Sequence, residues 1–248
     1  GIPLIVAREE EWFQREVVVP WAECYRRGQT PNPCILCNPS TKFALLCREA
    51  KNRGFDAIVT GHYAGVEEQE GRYLLKKAKF LPRDQSYMLY RLGQDVLSRL
   101  IFPLGEFRSK EKTREVARDG KLSNADKKDS QEICFIEPED NYVSYITAVG
   151  GTSAPGNFVD REGRVLGRHK GILHYTIGQR KGLGIALGKP AFVTEIRAAR
   201  NEVVLGDNEE LFACEVRSTN HIFADGNPAA YDGKTVFAKV RYSAPPSE

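Results

Sequence analysis

The first half of the chain alternates short apolar runs with segments of helical periodicity. Residues Ile2–Ala7 are apolar throughout and predict a strand. Residues Glu9–Arg27 predict a helix that Pro20 interrupts, because proline cannot donate a backbone hydrogen bond. Ser40 is placed to cap a further helix that ends at Gly54. The apolar positions of that helix recur with helical spacing at Phe43, Leu46, Cys47 and Ala50.

A short apolar strand over Asp56–Thr60 follows, and the tripeptide Gly61-His62-Tyr63 comes directly after it. Two more helices are predicted, one opening near Asp84 and one from Ser109 to Asp119, which Gly120 closes. Strands that alternate with helices are typical of a parallel sheet with helices on its faces. We therefore predict an α/β fold for this half of the chain.

Strand signals dominate from about Asn141 onward. Turn residues separate short apolar runs, which indicates hairpins and small β-rich, barrel-like domains. The predicted hairpins pair Phe158–Val159 with Val165–Leu166 around residues 160–163, and Ala191–Ile196 with Glu202–Leu205 around Arg200–Asn201. One further strand is predicted over Val236–Tyr242.

Composition narrows the class of protein without deciding its function. The 248 residues are 41% hydrophobic and 28% charged, which is typical of a globular protein with its own core. No apolar run approaches the roughly 20 residues that a membrane span needs. The first residues lack the layout of a signal peptide, so we expect a cytoplasmic protein without a membrane partner. Basic clusters at Arg108–Lys112, Lys121–Lys128 and Arg168–Lys181 fit a solvated face or a nucleic-acid surface equally well.

Two cysteines stand close together in the segment Thr-Pro-Asn-Pro-Cys-Ile-Leu-Cys-Asn at residues 30–38. Prolines disfavour helix at the residue before them, so we expect a rigid, extended segment that presents Cys34 and Cys37 just ahead of a helix. The start of a helix favours the thiolate, which is the form that acts as nucleophile or metal ligand. The alternative is that both thiols are small hydrophobic groups in the core.

A third cysteine of interest, Cys134, stands where the two halves of the chain meet, in the segment Lys-Lys-Asp-Ser-Gln-Glu-Ile-Cys-Phe at residues 127–135. Sites are common at such junctions, although a single cysteine is usually structural. The remaining cysteines, Cys24, Cys47 and Cys214, are predicted to lie in the core, Cys214 in a strand. Six cysteines in 248 residues are too few for a disulfide scaffold.

Polar groups at predicted element ends are candidates for ligand contacts. Ligands of open parallel sheets bind beyond the carboxyl ends of the strands, where Gly61 allows close approach and His62 can contact phosphate or base. A structural histidine is the alternative. Asp84 is predicted to cap a helix, which leaves Arg83 and Gln85 exposed and available to phosphate or sugar.

Two further basic segments are candidates for contact with RNA. The loop Gly-Gln-Arg-Lys-Gly-Leu-Gly at residues 178–184 places Arg180 and Lys181 between glycines, where they can neutralise phosphates. A simple hairpin turn is the alternative. Arg241 and Tyr242 place a cation beside an aromatic ring, which suits stacking on an unpaired base, although an ordinary pair of strand residues is equally consistent.

With these segments side by side, the chain resembles the tRNA-specific 2-thiouridylase family over nearly its whole length. The similarity is carried by TPNPCILCN, TKF, TGHY, RDQSYMLY, FPLGEFRSK, KKDSQEICFI, HYTIGQRKGLGIA and AKVRYS. The resemblance implies a partial adenine-nucleotide α-hydrolase-like (PP-loop) ATP pyrophosphatase domain over residues 1–139. A β-rich central tRNA-binding domain (140–207) and a partial C-terminal β-barrel (208–248) are expected to follow. Because the nucleotide-binding loop of the family is not in this sequence, we expect the 248-residue chain to show negligible ATP turnover by itself.

The resemblance also implies a chemistry. ATP with Mg²⁺ adenylates the C2 oxygen of the wobble uridine of tRNA, and a persulfide on Cys134 supplies the sulfur. Cys37 releases the sulfur or resolves the resulting disulfide. A sulfur-relay protein that donates persulfide, or a cysteine desulfurase, is the expected partner beside tRNA. The implied contacts are Asn32, Pro33 and Cys34 for the target base, Gly61 for adenylate, and His62, Arg83, Asp84, Gln85, Arg241 and Tyr242 for tRNA.

Cys34 stands where some relatives carry aspartate, and this difference leaves alternatives open. Three thiols, Cys34, Cys37 and Cys134, suit an iron–sulfur cluster whose open iron binds sulfide, and the replaced carboxylate slightly favours such a shared site. A non-catalytic, zinc-stabilised RNA-binding module would use the same thiols and His62. Both sulfur-transfer mechanisms require Cys37 and Cys134 to converge.

Overall fold

The computed structural model describes residues 2–126, 133–136, 141–150, 153–242, 244, 246 and 247. The chain divides into two compact units. The first comprises Gly1–Pro33 and Asp129–Ser218, and the second comprises Cys34–Lys128 and Thr219–Glu248. The predicted domain boundary at residues 139 and 140 lies outside the described residues. The predicted boundary between 207 and 208 stays a prediction.

The α-helices among the described residues are short. In chain order they are α1 (Glu10–Phe13), α2 (Val19–Arg26), α3 (Pro33–Cys37), α4 (Phe43–Asn52), α5 (Gln94–Leu97), α6 (Lys110–Asp119) and α7 (Tyr142–Ala148). No helix in the described ranges is long and apolar enough to cross a membrane. Single 3-10 turns lie at Leu81–Arg83, Ser86–Met88, Pro103–Glu106, Ile172–His174, Ala198–Arg200, Asn208–Leu211 and Pro228–Tyr231.

The described strands form three small sheets. The strands are β1 (Ile58–Val59), β2 (Ala64–Gln69), β3 (Arg72–Lys77), β4 (Leu100–Ile101), β5 (Gly156–Val159), β6 (Val165–His169), β7 (Phe192–Arg197) and β8 (Glu202–Gly206). β1 pairs with β4 in parallel, β2 pairs with β3 antiparallel, and the largest sheet has the order β6-β5-β8-β7.

In the first unit, the predicted strand at Ile2–Ala7 is wrong. A strand needs a partner for its backbone N–H and C=O groups, and no described strand pairs with these residues. Ile2, for example, is 97% exposed. The predicted helix is present, but Pro20 does not break it. A π-helical turn at Gln14–Val18 joins α1 to α2, and Pro20 lies in the first turn of α2, where a missing backbone N–H is tolerated.

An aromatic core holds α2 and α7 of the first unit together. Trp21 and Ile146 are fully buried there, and Asn141 caps α7 by accepting a hydrogen bond from the backbone N–H of Ser144 at 2.9 Å. Helix α7 was not predicted, because strand signals dominate the sequence from about Asn141 onward. Gly28 follows α2 with a φ of +75°, and a Cβ at this position would lie 2.8 Å from the Cγ2 atom of Ile196. Glycine is therefore required where this turn meets β7.

The β-rich part of the first unit follows the prediction closely. Both predicted hairpins are confirmed, as the antiparallel pairs β5–β6 and β7–β8. A parallel pairing of β5 with β8 joins them into one four-stranded sheet. Its buried face contains Phe158, Val193, Val203 and Leu205.

In the second unit, one continuous helical stretch contains α3, a π-helical turn at Asn38–Lys42 and α4. Ser40 is therefore inside the helix and is not its cap; its hydroxyl donates to the carbonyl oxygen of Leu36 at 2.7 Å. The predicted end is confirmed, because Gly54 has a φ of +72° and the N–H of Phe55 donates back to the carbonyl of Ala50.

The parallel β1–β4 pair confirms the predicted type of sheet, and α6 has its predicted bounds, with Ser109 as the capping side chain. The β2–β3 hairpin was missed, although Glu70 and Gly71 at its turn both have positive φ, as the tightest hairpins require. The strand predicted over Val236–Tyr242 is wrong, since the described residues there form only an isolated bridge between Ala238 and Ser247. Without a neighbouring strand, this apolar run has no ladder to join.

Candidate functional site

The thiol pair Cys34 and Cys37 lies in α3 and not in an extended segment. Pro33 is the first residue of that helix, a position that proline favours because its missing N–H would have no partner there. Residues three apart in a helix lie on the same side, so both half-buried thiols share one side of α3. Asn38, which the sequence analysis did not single out, is buried next to Cys37. Its side-chain amide donates to the carbonyl oxygen of Met88 at 2.8 Å and fixes the end of α3.

Cys134 is exposed, whereas its neighbours in the chain are anchored in the core of the first unit. The ring of Phe135 lies 5.2 Å from that of Phe13, and 5.5 Å from those of both Trp21 and Tyr145. The thiol of Cys134 is therefore exposed to solvent beside an aromatic cluster. Residues 127–132 and 137–140 lie outside the described residues. Cys37 belongs to the second unit, and its convergence with Cys134 stays a prediction.

The described residues of neither unit place three His, Cys, Asp or Glu side chains so that they could hold a metal ion. In the second unit this means that His62 does not join Cys34 and Cys37 as a ligand. The iron–sulfur cluster and the zinc site stay predictions. Of the other cysteines, Cys24 and Cys47 are half-buried, and Cys47 packs against the core. The prediction that Cys214 lies in a core strand is wrong, because it is exposed and outside every described strand.

His62 follows β1 at the carboxyl edge of the parallel β1–β4 pair. Its ring lies between those of Phe43 and Phe102, at centroid distances of 5.6 and 6.0 Å, and its Nδ1 atom hydrogen-bonds the hydroxyl of Thr60 at 2.8 Å. Burial, with a smaller contribution from Lys42, lowers the pKa of His62 to about 4. The imidazole is therefore neutral near pH 7, so it can accept or donate a hydrogen bond but offers no positive charge to a phosphate.

The segment Arg83-Asp84-Gln85 is held next to Tyr63 by two hydrogen bonds of Gln85. The backbone N–H of Tyr63 donates to the Oε1 atom of Gln85 at 2.9 Å, and the N–H of Gln85 donates to the carbonyl of Tyr63 at 2.8 Å. The prediction that Arg83 and Gln85 are exposed is wrong, because both are half-buried and Gln85 is hydrogen-bonded to Tyr63. Only a 3-10 turn follows at Ser86–Met88, in place of the predicted helix.

Asp84 is buried, and its carboxylate stabilises this turn by accepting hydrogen bonds. It accepts hydrogen bonds from the backbone N–H of Ala78 at 2.8 Å and from the hydroxyl of Ser86 at 2.6 Å. The predicted capping role is thus present in a turn, and the carboxylate fixes the position of Arg83 and Gln85. Its predicted contact with tRNA stays a prediction.

Tyr242 packs beside Tyr87, an aromatic residue that was not predicted to contribute to the site. Its ring lies 6.2 Å from that of Tyr87, and the ammonium group of Lys239 lies 5.4 Å and 5.9 Å from the centres of the Tyr242 and Tyr87 rings. The hydroxyl of Tyr87 donates to the carbonyl of Val240 at 3.1 Å. Arg241 and Tyr242 are exposed. The sequence motif around Arg83 and the motif around Arg241 are therefore in contact in the second unit.

Arg180 and Lys181 are exposed on a loop of the first unit. The loop is not a hairpin turn, because β6 and β7 are not neighbours in the sheet. Gln179 fixes its shape: its side chain accepts from the N–H of Thr176 and donates to the carbonyl of Lys181 at 3.0 Å. A groove of about 480 Å³ runs beside it and is lined by Arg180, Gly182, Leu183, Gly184, Ile185, Ala186, Leu187, Lys189, Pro190 and Ala191.

Comparison with known families matches two domain profiles in succession. The profile described as tRNA methyl transferase HUP domain matches residues 1–138. The profile described as tRNA methyl transferase PRC-barrel domain matches residues 144–207. A HUP domain is an α/β parallel-sheet domain of the PP-loop type, so this succession confirms the predicted fold class, α/β followed by β. The described strands of the second region form an open four-stranded sheet.

The chain is also similar over its full length to curated proteins named tRNA-specific 2-thiouridylase MnmA. The relative from Clostridium perfringens is 46% identical over 250 residues, which cover 100% of this chain and 68% of the relative. The relative from Clostridium acetobutylicum is 44% identical over 249 residues, covering 100% and 69%. The relative from Carboxydothermus hydrogenoformans is 46% identical over 251 residues, covering 99% and 67%.

Proposed function

Because this chain belongs to the tRNA-specific 2-thiouridylase family, we propose that it transfers sulfur to the C2 position of the wobble uridine of tRNA. The observation that carries the proposal is the pair of half-buried thiols on one side of α3, inside a segment of full-length similarity to these enzymes. The matching profiles carry the description methyl transferase. A thiol pair of this kind suits sulfur chemistry, and the names of the relatives agree with it.

Uracil C2 is a poor electrophile, and its oxygen is a poor leaving group. ATP, bound with Mg²⁺ as a co-substrate, would transfer its AMP group to that oxygen and release pyrophosphate. The oxygen could then leave as part of AMP. Gly61 fits the proposed contact, since it is exposed at the carboxyl edge of β1 and a Cβ there would meet only a methyl group of Leu104, at 3.7 Å. The backbone of Gly61 is thus open to a ligand at the edge where parallel sheets bind nucleotides.

Sulfur transfer then uses two thiols. In the persulfide mechanism, the outer sulfur of a Cys134 persulfide attacks C2, and the attack displaces the adenylate. The thiolate of Cys37 next attacks the inner sulfur of Cys134. The bond between the two persulfide sulfurs breaks, its electrons remain with the transferred sulfur as C2=S, and a Cys37–Cys134 disulfide forms. An external dithiol reduces this disulfide and resets the enzyme.

The neighbouring residues position the RNA. Asn32, Pro33 and Cys34, at the beginning of α3, receive the target base once it leaves the stack. Arg83 and Gln85 contact the strand beside it, Asp84 holds their turn in place, and His62 offers a neutral ring nitrogen. The exposed ring of Tyr242, flanked by Tyr87 and Lys239, suits stacking on an unpaired base. Exposed Cys134 is the thiol that a persulfide-donating protein or a cysteine desulfurase loads.

The test is a reconstituted reaction. The protein, in a form that includes the nucleotide-binding loop of the family, is incubated with unmodified tRNA, ATP, Mg²⁺ and a cysteine desulfurase with cysteine, and the digested nucleosides are analysed by mass spectrometry. The 248-residue chain by itself, for which negligible ATP turnover and no thiolation are expected, is the negative control. We expect 2-thiouridine that depends on ATP. Inorganic sulfide in place of the desulfurase separates the persulfide route from the sulfide route. A methylated uridine in place of the thiolated one, or no modified nucleoside with either donor, would contradict the proposal.

Replacing Arg180 and Lys181 together by glutamine should flatten the salt dependence of tRNA binding. Each cation that contacts a phosphate contributes about 0.9 to the slope of log affinity against log salt, so the slope should fall by about 2. Phosphate contacts carry no sequence information, so different tRNAs should be affected alike. Filter binding across a salt series measures both effects. Lys189→Gln is the matched control, because Lys189 is already paired with Asp207 at 2.9 Å. An unchanged slope in the double variant would show that this loop is not part of the RNA-binding surface.

A further inference from the structure

Three tyrosine rings and one lysine lie together in the second unit. The ring of Tyr87 lies 6.5 Å from that of Tyr90 and 6.2 Å from that of Tyr242. The ammonium group of Lys239 lies 5.4 Å from the centre of the Tyr242 ring and 5.9 Å from the centre of the Tyr87 ring. Together these four residues form the tyrosine surface, in which Tyr87 contacts the other three.

The rings of the tyrosine surface are more accessible than aromatic rings in a core. Tyr90 is 50% exposed and Tyr242 is 38% exposed, while Tyr87 is half-buried. The plane of the Tyr87 ring is inclined by 56° to that of Tyr90 and by 53° to that of Tyr242, so these rings do not stack face to face on one another. Neighbouring exposed aromatic residues mark an interaction surface, whereas a single exposed ring needs no explanation.

A hydrogen bond fixes the two segments that form the tyrosine surface. The hydroxyl of Tyr87 donates to the carbonyl of Val240 at 3.1 Å, across 153 positions of the chain. Burial raises the pKa of Tyr87, Tyr90 adds to this effect, and the charge of Arg241 opposes it. The hydroxyl is therefore protonated near pH 7 and remains a donor. The rings are held in place before any ligand binds, which lowers the entropic cost of binding.

The tyrosine surface is attached to the helix that carries the thiol pair. Tyr87 lies in the 3-10 turn Ser86–Met88, and the carbonyl of Met88 accepts a hydrogen bond from the side chain of Asn38 at 2.8 Å. Asn38 directly follows Cys37, the last residue of α3. The five residues of α3 span only about 7.5 Å. When a target base lies at the beginning of α3, its neighbouring nucleotides are within reach of the tyrosine surface.

Unpaired nucleotides fit this combination of groups. Bases stack on aromatic rings whatever their sequence, and a cation beside the rings neutralises the phosphates that join them. We propose that the tyrosine surface stacks the unpaired bases next to the target uridine, and that Lys239 contacts a phosphate between them. The proposal rests on the proposed function for its ligand, which is tRNA. It adds Tyr87, Tyr90 and Lys239 to the residues that bind RNA.

Tyr90 is the residue to change, because its ring is half exposed and the hydroxyl of Tyr87 holds two segments together. Affinity for the anticodon stem-loop of an unmodified substrate tRNA is measured across a salt series. We expect Tyr90→Leu to weaken binding roughly fivefold or more, about 1 kcal/mol, with an unchanged salt slope because stacking involves no net charge. Tyr90→Phe keeps the ring and should bind as the wild type does. Phe55→Leu, at a position 59% exposed in the same unit, is the matched control and should also bind normally.

Lys239→Gln tests the cation separately. Loss of one phosphate contact to a single strand should lower the slope of log affinity against log salt by about 0.7. An unchanged slope would remove Lys239 from the proposal.

A fluorescent base tests the stacking directly. In two oligonucleotides, 2-aminopurine replaces the nucleotide on one or the other side of the wobble uridine, and its emission falls when it stacks on an aromatic ring. At saturating protein we expect the wild type and Tyr90→Phe to quench at least one of the two, and Tyr90→Leu to quench it less. The melting temperatures should be equal.

Three results would overturn the proposal. The first is RNA affinity that does not change in Tyr90→Leu. The second is a loss of affinity that Tyr90→Phe shares, or one that comes with a lower melting temperature and normal quenching, because either marks a structural role. The third is normal RNA binding with weaker binding of the persulfide-donating protein, which would make the tyrosine surface a protein-docking site.

The two proposals fail in different ways, because the binding and quenching measurements need no sulfur transfer. If the wild-type protein makes 2-thiouridine and Tyr90→Leu binds RNA normally, only the tyrosine surface is wrong. If Tyr90→Leu weakens RNA binding as expected but the wild-type protein forms no 2-thiouridine, the proposed function is wrong and the tyrosine surface stands.

Discussion

Replacing Cys134 or Cys37 by serine is expected to lower the rate of 2-thiouridine formation by roughly a thousandfold, about 4 kcal/mol of transition-state stabilisation. Serine keeps the size of the side chain but cannot carry a persulfide, and its hydroxyl is not a useful nucleophile towards sulfur. Single-turnover thiolation with tRNA, ATP and a cysteine desulfurase measures the rate. Cys214→Ser is the control, because Cys214 is exposed and plays no part in the mechanism.

The two variants should differ in what they accumulate. In Cys37→Ser, Cys134 still receives sulfur, so mass spectrometry of alkylated peptides should find its persulfide. In Cys134→Ser no such persulfide should form. A Cys134→Ser enzyme that works within a few-fold of the wild type would remove Cys134 from the mechanism. Cys34→Ser separates the alternatives, because an iron–sulfur cluster needs Cys34 as a ligand and the persulfide route does not.

Acidification is expected to destabilise the second unit through His62. The ordinary pKa of 6.5 falls to about 4 in the folded protein. Above pH 6.5 the ring is neutral in both the folded and the unfolded protein. The stabilisation that comes from burying the neutral ring is then fully present. As the pH falls from there towards about 4, the unfolded chain binds a proton that the folded protein does not, and the free energy of unfolding decreases. The shift corresponds to about 3 kcal/mol. Because part of the ring is exposed to solvent, we expect about 2 kcal/mol.

Urea unfolding across this pH range measures the effect. His62→Gln should show a shallower decline than the wild type. Burial also lowers the pKa values of His169 and His174, so part of the decline remains in every variant. The difference between the His62 variant and the wild type is therefore the quantity to compare. Superimposable profiles would show that His62 is not held neutral by its surroundings.

Local signals account for the elements that the sequence predicted. Ser109 and Gly120 bound α6 in the sequence as they do in the structure, since capping depends on a few neighbouring residues. The hairpins β5–β6 and β7–β8 have turn residues at their ends for the same reason. Prolines are more ambiguous. Pro33 fits an extended chain and the first position of a helix equally well, and tertiary packing decided for the helix.

The candidate site depends on contacts that have no local signal. Tyr63 meets Gln85 across 22 positions and Thr113 across 50, and Asn38 reaches Met88 across 50. Nothing in the residue types at those positions specifies the partner. The resemblance implied roles for Arg83, Gln85 and Tyr242, whereas the contacts of Tyr87 and Lys239 with Tyr242 emerge only in the folded chain. The spacing of Tyr87 and Tyr90 was the one available hint of an aromatic surface.

The aromatic cluster that anchors the neighbours of Cys134 has an optical consequence. The chain contains two tryptophans: Trp21 is fully buried with its ring 5.5 Å from that of Phe135, and Trp12 is 42% exposed. Iodide should quench the fluorescence of Trp12 and spare that of Trp21. Trp21 is therefore a spectroscopic reporter, in direct contact with Phe135, the residue next to Cys134. Any step that lifts Phe135 out of the cluster would change its emission without an introduced label.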